Sequence, residues 1–365
     1  TGGQNNAIGD GAMDANTTGC RNVAMGNGSM TKNTEGICNT AIGHITLQCN
    51  LTGNCNTAVG VCALKTNTAS DNTAVGAGAL QKNTTASNIT AVGHNALCDN
   101  TSGANNVAVG DSALANNTTG ANNTSVGLSS MFTNISGSDN TAYGSQALTT
   151  AQSPAGNTAL GRQALCKTTT GDCNYASGAF AGCANTTGHR NTYVGYGAGQ
   201  NATTPEGNTF VGRYAGCNAG TGNSNHAFGI SAGVDAVKNI TGTDTHQLVL
   251  GNNGTTNAYI KVAFTVTSDL RDKTEIEDVP HGLDFVGKLN PIKYRFKESR
   301  ANPVGTGMKK YGFSAQEILE LEGDNNVIID NHDPENLKLT ELHLLPVLVN
   351  AIKELTKRIK DLEDE

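Results

Sequence analysis

The sequence predicts a parallel β-solenoid (a β-roll) of 17-residue rungs, followed by a small α+β unit that ends in a long helix. Three observations carry that prediction. One glycine register runs through the first two thirds of the chain, composition changes sharply at Thr267-Ser268, and a heptad pattern closes the chain.

The register is Gly9, Gly26, Gly43, Gly60, Gly76, Gly93, Gly110, Gly127, Gly144, Gly161, Gly178, Gly195, Gly212 and Gly229. Twelve intervals are seventeen residues, and the one from Gly60 to Gly76 is sixteen. Asn stands four positions before the glycine in thirteen of fourteen copies, with Ile89 the exception, and Ala stands two before it in eleven. Three positions after it Ala is usual, followed by Leu or Met as far as Leu165 and by Gly in the last four copies. A register kept over so many copies is the mark of a repeat architecture.

The period is too short for a pair of helices. Asn-Thr-Ala-Val-Gly alternates with period two, which reads as a short strand, and the Thr-Thr-Gly and Thr-Ser-Gly clusters read as turns. Each rung is expected to hold two short strands, and fourteen rungs at about 4.8 Å each would extend roughly 65 Å. Asn columns would pair their amides along the stack, and both ends need caps. Ala108 and its equivalents fit a narrow interior, while Val109, Val126, Val194 and Val211 form an apolar row outside. Such a row marks an association surface. The expectation is a homotrimer; the alternative is a wide monomeric roll that buries both rows.

Composition bounds the partners. The net charge is −7, and the first 267 residues hold 11 acidic and 10 basic residues with no basic stripe, so a nucleic-acid partner is not expected. No run of 18 apolar residues occurs, so no membrane insertion is expected. The chain begins at Thr1 inside a repeat, which reads as a fragment or mature product whose anchoring end lies elsewhere.

The repeat offers little chemistry. Val194-Gly195-Tyr196-Gly197-Ala198-Gly199 is glycine-dense but lacks the Lys-Ser or Lys-Thr of a phosphate loop, and reads as a turn. His44 and His94 read as isolated surface imidazoles. All ten Cys lie between Cys20 and Cys217 without Cys-x-x-Cys spacing, so no metal site and no cofactor are expected. Cys166 and Cys183, or Cys38 and Cys55, would stack one rung apart, within disulfide reach. Cys49 with Cys55, or Cys166 with Cys173, would instead close loops, and the alternative is small buried hydrophobes. Asn-x-Ser/Thr triplets at Asn16, Asn83, Asn117, Asn185 and Asn239 follow from an Asn- and Thr-rich repeat and say little about glycosylation.

This repeat, over residues 1 to about 233, resembles the β-roll head of trimeric autotransporter adhesins and repeats in phage and viral fibres. Those heads usually have a shorter period and end in a membrane-inserted β-anchor, whereas this chain ends Asp-Leu-Glu-Asp-Glu, so an autotransporter is not the expected reading.

Beyond the rungs, residues 234–267 read as a connector. His246-Gln247-Leu248-Val249-Leu250 and Ala258 to Ala263 flank Gly251-Asn252-Asn253-Gly254, the pattern of a β-hairpin that caps the solenoid.

From Ser268 the charged fraction rises, with 20 acidic and 14 basic residues in 98. Ser268 and Lys273, five apart, have the residue types of a nucleophile and its base; the plain alternative is that Ser268 caps a helix. Ser268-Asp269-Leu270-Arg271-Asp272-Lys273, Leu289-Asn290-Pro291-Ile292-Lys293-Tyr294, Tyr311-Gly312-Phe313-Ser314-Ala315-Gln316-Glu317-Ile318 and Leu345 to Leu355 occur in order. They resemble the self-cleaving intramolecular chaperone domain of endosialidases, tailspikes and tail fibres across 268–365, with Leu339-Thr340 where that family often has Tyr-Thr. The resemblance implies cleavage of Thr267-Ser268, with Ser268 as nucleophile, Lys273 as general base and Arg271 as the cation that lowers the lysine pKa or steadies the oxyanion.

Leu345, Leu348, Ile352, Leu355, Ile359 and Leu362 form a heptad seam whose Ile-at-a, Leu-at-d pattern favours two strands in parallel coiled coils. The family resemblance and the solenoid outweigh it, and three strands are expected. The functional expectation is a structural adhesin of a viral or phage tail fibre, on a virion or extracellular surface. Its partners would be copies of itself and a host-surface receptor or glycan. The alternatives are a glycan-degrading tailspike, with carboxylates converging from different rungs, and a Thr-ranked ice- or surface-binding solenoid.

Overall fold

The computed structural model describes residues 2–235, 238–255, 258–259, 261, 268–297, 303–323, 326–332 and 334–364. The chain divides into two compact units, Thr1–Asn252 and Asn253–Glu365.

The first unit is a parallel solenoid of fifteen three-residue strands stacked in sequence order, from β1 (Asn6–Ile8) to β14 (His226–Phe228) and β15 (Leu248–Leu250). The register is strict: Ala91 faces Ala108, and Val92 faces Val109. The shortened interval loses its residue in a turn, since Thr57 still pairs with Thr73. At the strand centres Ala24, Ala58, Ala108 and Ala159 are fully buried, as the alternation predicts.

Each described rung carries one strand rather than the two expected. The segment after the register glycine is built of turns, with left-handed residues at its second and fourth positions, such as Cys62 (φ 59°) and Leu64 (φ 50°). That backbone breaks the pleat, yet its amides still bond the next rung, as Leu47 N–H does to Ala63 O at 3.0 Å. The register glycines are required by space as well as conformation. Gly110 has φ 137°, and a Cβ there would lie 2.6 Å from Gly127 O.

Two asparagine columns hold the rungs together. In the predicted one, the Asn123 N–H donates to Asn106 Oδ1 at 2.9 Å and Asn123 Nδ2 donates to Gly137 O at 2.8 Å. Each amide thus serves backbone groups that the tight turns leave without partners. A second column, seven residues after the glycine, is an amide ladder: Asn117 Nδ2 donates to Asn100 Oδ1 and Asn134 Nδ2 to Asn117 Oδ1, both at 2.7 Å. Asn83, Asn117 and Asn185 of the Asn-x-Ser/Thr triplets belong here and are fully buried, so the folded rungs leave no access for a glycan at these three.

The first arm of the predicted hairpin joins the solenoid. Leu248–Leu250 pairs parallel to β14 as a fifteenth rung, with Val249 in the alanine position and Gly251 N–H on Phe228 O at 2.8 Å. The pairing wins because Asn225 Oδ1 still receives the Gln247 N–H at 3.0 Å. The predicted second arm includes Ile260, Val262 and Ala263, which lie outside the described residues.

The second unit holds a 3-10 turn at Leu270–Asp272, α1 (Leu283–Val286), the antiparallel pair β16 (Ile292–Lys297) and β17 (Gly305–Gly312), and α2 (Ala315–Glu322). The pair β18 (Ile329–Asp330) and β19 (Lys338–Leu339), a 3-10 turn at Glu341–His343 and the terminal helix α3 (Leu344–Glu363) follow. Phe285, Ile318, Ile328, Ile329, Leu344 and Val347 form its core. Leu283 N–H at the start of α1 is capped by Glu354 Oε2 at 2.9 Å, because Gly282 has no side chain to do so. Asn350 Nδ2 donates to His281 O at 3.0 Å. Helix α3 thus turns Leu344, Val347 and Ala351 inward, while every member of the heptad seam from Leu345 to Leu362 is exposed. No described helix is long and apolar enough to cross a membrane.

Candidate functional site

The site with the strongest sequence signal lies at the start of the second unit. Asp269, not Ser268, caps the 3-10 turn: its backbone is extended (φ −68°, ψ 133°) and its carboxylate accepts the Arg271 N–H at 2.9 Å. The turn closes with Lys273 N–H on Leu270 O at 3.2 Å, which returns the lysine towards the serine. Lys273 Nζ then donates to Ser268 Oγ at 2.8 Å. The pairing expected from a spacing of five is therefore formed by one short turn. Thr267, on the other side of the expected scissile bond, lies outside the described residues.

Arg271 pairs with Asp269. Its Nε donates to Asp269 Oδ1 at 3.0 Å, and its other fork nitrogen bonds Oδ2. The hydrogen bond from Arg271 holds the Asp269 carboxyl below its usual range and raises the guanidinium in turn. The arginine charge is thus compensated by its own cap. Asp269 is the member of this cluster to which sequence reasoning gave no part in the chemistry. Its signal was present, an Asp beside a short turn with Arg two residues on. Ser268, Asp269, Arg271 and Lys273 are all exposed in the single chain. A neutral amine, which the base role demands, is favoured by burial or by a nearby uncompensated cation. The dyad therefore has its contact geometry but not a dry setting.

Carboxylates do converge in the solenoid, around a cavity of about 310 Å³ lined by Asp172, Cys173, His189, Arg190 and Glu206. Each has a structural duty. Asp172 Oδ1 accepts the Ala155 N–H at 2.6 Å, His189 Nδ1 accepts the Asp172 N–H at 3.0 Å, and Arg190 pairs with Glu206 at 2.8 Å. In this column side chains stand in for rung-to-rung backbone acceptors, as Asn54 and Ser138 do elsewhere. The threonine ranks are similarly engaged. Thr84 Oγ1 donates to Thr101 O and Thr118 Oγ1 to Ile135 O, both at 2.9 Å, so the first hydroxyl of each of these pairs is spent on the next rung.

Of the cysteine pairs, the structure brings Cys166 and Cys183 together, with their sulfurs 2.6 Å apart as thiols. The hydrogen bond from Cys166 holds the Cys183 thiol down at about 7, against the effect of half-burial and with a smaller contribution from Lys167. The same bond and burial push Cys166 up. Among the described residues no group of three His, Cys, Asp or Glu side chains is arranged to hold a metal ion.

No curated protein and no solved structure matches this chain significantly. Residues 268–328, from the Ser268 dyad through α2 to the residue before β18, match the family model described as chaperone of endosialidase, and such a segment following a β-solenoid fits a tail-fibre or spike-type protein.

Proposed function

We propose that the protein is the solenoid shaft or head of a homotrimeric tail fibre or spike, assembled by its C-terminal segment and then released from it by one self-cleavage. The observation that carries this reading is the 2.8 Å contact of Lys273 Nζ with Ser268 Oγ, inside the segment that matches the chaperone family.

The reaction is a single turnover. Lys273, neutral, takes the Ser268 hydroxyl proton while Oγ attacks the Thr267 carbonyl carbon. The C–N bond breaks, the Ser268 nitrogen receives the proton, and the chain is held by an ester. Water then hydrolyses that ester, leaving a Thr267 carboxylate and a free Ser268 hydroxyl. The dyad is exposed in one chain, and in this reading association is what buries it. That couples cleavage to assembly and makes the released fibre kinetically rather than thermodynamically stable.

Association is supported at two places. In the outward row beside the buried alanines, Ile8, Met25, Ile42, Val75, Val109, Tyr143 and Phe228 are exposed, and Val126, Val194 and Val211 are half-buried. The heptad seam of α3 is exposed as well. Stacks of near-identical rungs slip register easily, and a segment that pairs first would align the chains before they stack. Denaturing mass analysis of freshly expressed protein tests the chemistry. Wild type should give fragments of 267 and 98 residues, with Lys273→Ala and Ser268→Ala intact. Intact wild type would remove the cleavage claim.

A further inference from the structure

We infer that one outer corner of the solenoid, formed by Arg162, Phe180, Tyr196, Arg213 and Tyr214, binds a carboxylated polysaccharide. The inference deepens the adhesive reading above by naming a ligand class.

Aromatic residues are unevenly placed. None occurs in residues 1–131, and nine of the sixteen lie between Phe132 and Phe228. Tyr193 and Phe210 fill the interior. Phe180, Tyr196 and Tyr214 instead stand one or two residues after a register glycine, where other rungs carry Asn27, His44, Ser112 or Gln146. The fold therefore does not require rings at this corner. They form a continuous edge-to-face stack, Phe180 to Tyr196 at 5.8 Å and Tyr196 to Tyr214 at 5.3 Å, with Tyr196 44% exposed.

A guanidinium lies at either end of the stack. Arg162 lies over Phe180 at 4.7 Å and Arg213 over Tyr214 at 5.1 Å. Stacking uses the face of a guanidinium and leaves its N–H fork for a planar anion. Among the described residues neither has a carboxylate partner, whereas Arg190 is held by Glu206 and Lys82 by Asp99, each at 2.8 Å. Three rungs separate the two arginines, about 14 Å at ~4.8 Å per rung. Rings that offer an apolar face to sugar C–H groups, flanked by two free forks, match a saccharide chain bearing carboxylates.

Other occupants fit less well. A polynucleotide needs many cations along its track, and the solenoid sequence has as many acids as bases. A second copy would have to bring carboxylates here, and Asp172 and Glu206 in these rungs are already engaged.

Affinity electrophoresis of the Lys273→Ala chain in gels containing polygalacturonate, dextran or dextran sulfate tests the inference. Polygalacturonate should retard the protein, with binding weakened about ten-fold by each of Arg162→Ala and Arg213→Ala and also weakened by Tyr196→Ala. Arg190→Ala should leave it unchanged, and thermal melts of all variants check that the rungs are intact. Equal retardation in dextran, a stronger effect of dextran sulfate, absence of retardation, or insensitivity to Arg162→Ala and Arg213→Ala would each overturn it. Native mass measured on the same samples separates the two readings: a single chain that binds polygalacturonate through Arg162 keeps this inference and removes the trimer.

Discussion

The ring of Tyr193 occupies the space that a side chain on Gly182 would need, since a Cβ there would lie 2.5 Å from Tyr193 Cδ2. The equivalent residue one rung earlier is Leu165, which has φ 50°, so the left-handed backbone alone does not demand glycine at this position. Gly182 and Gly199 flank Tyr193, and Gly216 makes room for Phe210 in the same way. Large rings and small residues have exchanged volume across the interior.

Gly199→Leu should therefore destabilise the solenoid by about 1–3 kcal/mol through overpacking. The double variant with Tyr193→Ala should recover part of that loss, because the two changes share one space. Chemical denaturation of the single and double variants measures the coupling. Simple additivity would show that the glycine serves the backbone instead.

The asparagine column makes a second prediction. Asn123 Oδ1 receives the Asn140 N–H at 3.1 Å in a fully buried setting. Asn123→Leu leaves that amide unpaired and should cost about 1–3 kcal/mol. The Ile89 N–H donates to Asn72 Oδ1 at 3.1 Å, but Ile89 has no side-chain oxygen to accept the Asn106 N–H. Ile89→Asn should then stabilise the rung by roughly 0.5–1.5 kcal/mol. Hydrogen exchange at the Asn106 and Asn140 amides reports both changes.

Cys183 should be the thiol that reacts first. Its proton leaves at about 7, so alkylation by iodoacetamide should rise as pH passes through 7, ahead of Cys98 and Cys217, whose thiols burial pushes up. Cys166→Ala removes the donor and should move the Cys183 midpoint upward. A disulfide oxidant should close the Cys166–Cys183 bridge in wild type, read as a mass lower by two hydrogens in the peptide spanning both rungs. Equal alkylation rates for Cys98, Cys166, Cys183 and Cys217 would contradict the assignment.

Much of this was legible in the residues because the repeat states each constraint fourteen times. The glycine register, the buried alanines and the exposed row beside them follow from alternation and period. The second strand was misjudged because left-handed turns at positions such as Leu64 and Leu114 bond neighbouring rungs much as a strand does. The strand at Leu248–Leu250 was legible, but its place in the solenoid register was not, because the preceding rung is longer, His226 pairing with Leu248. In the candidate site, Ser268 and Lys273 were readable from spacing. The claim that Asp269 makes on Arg271 depends on the φ and ψ of one capping residue, which a motif does not convey.

The most direct test of the whole account is the native mass of the Lys273→Ala chain by light scattering. The account predicts three times the 37.5 kDa of one chain. A single-chain mass with the rungs fully ordered would contradict it.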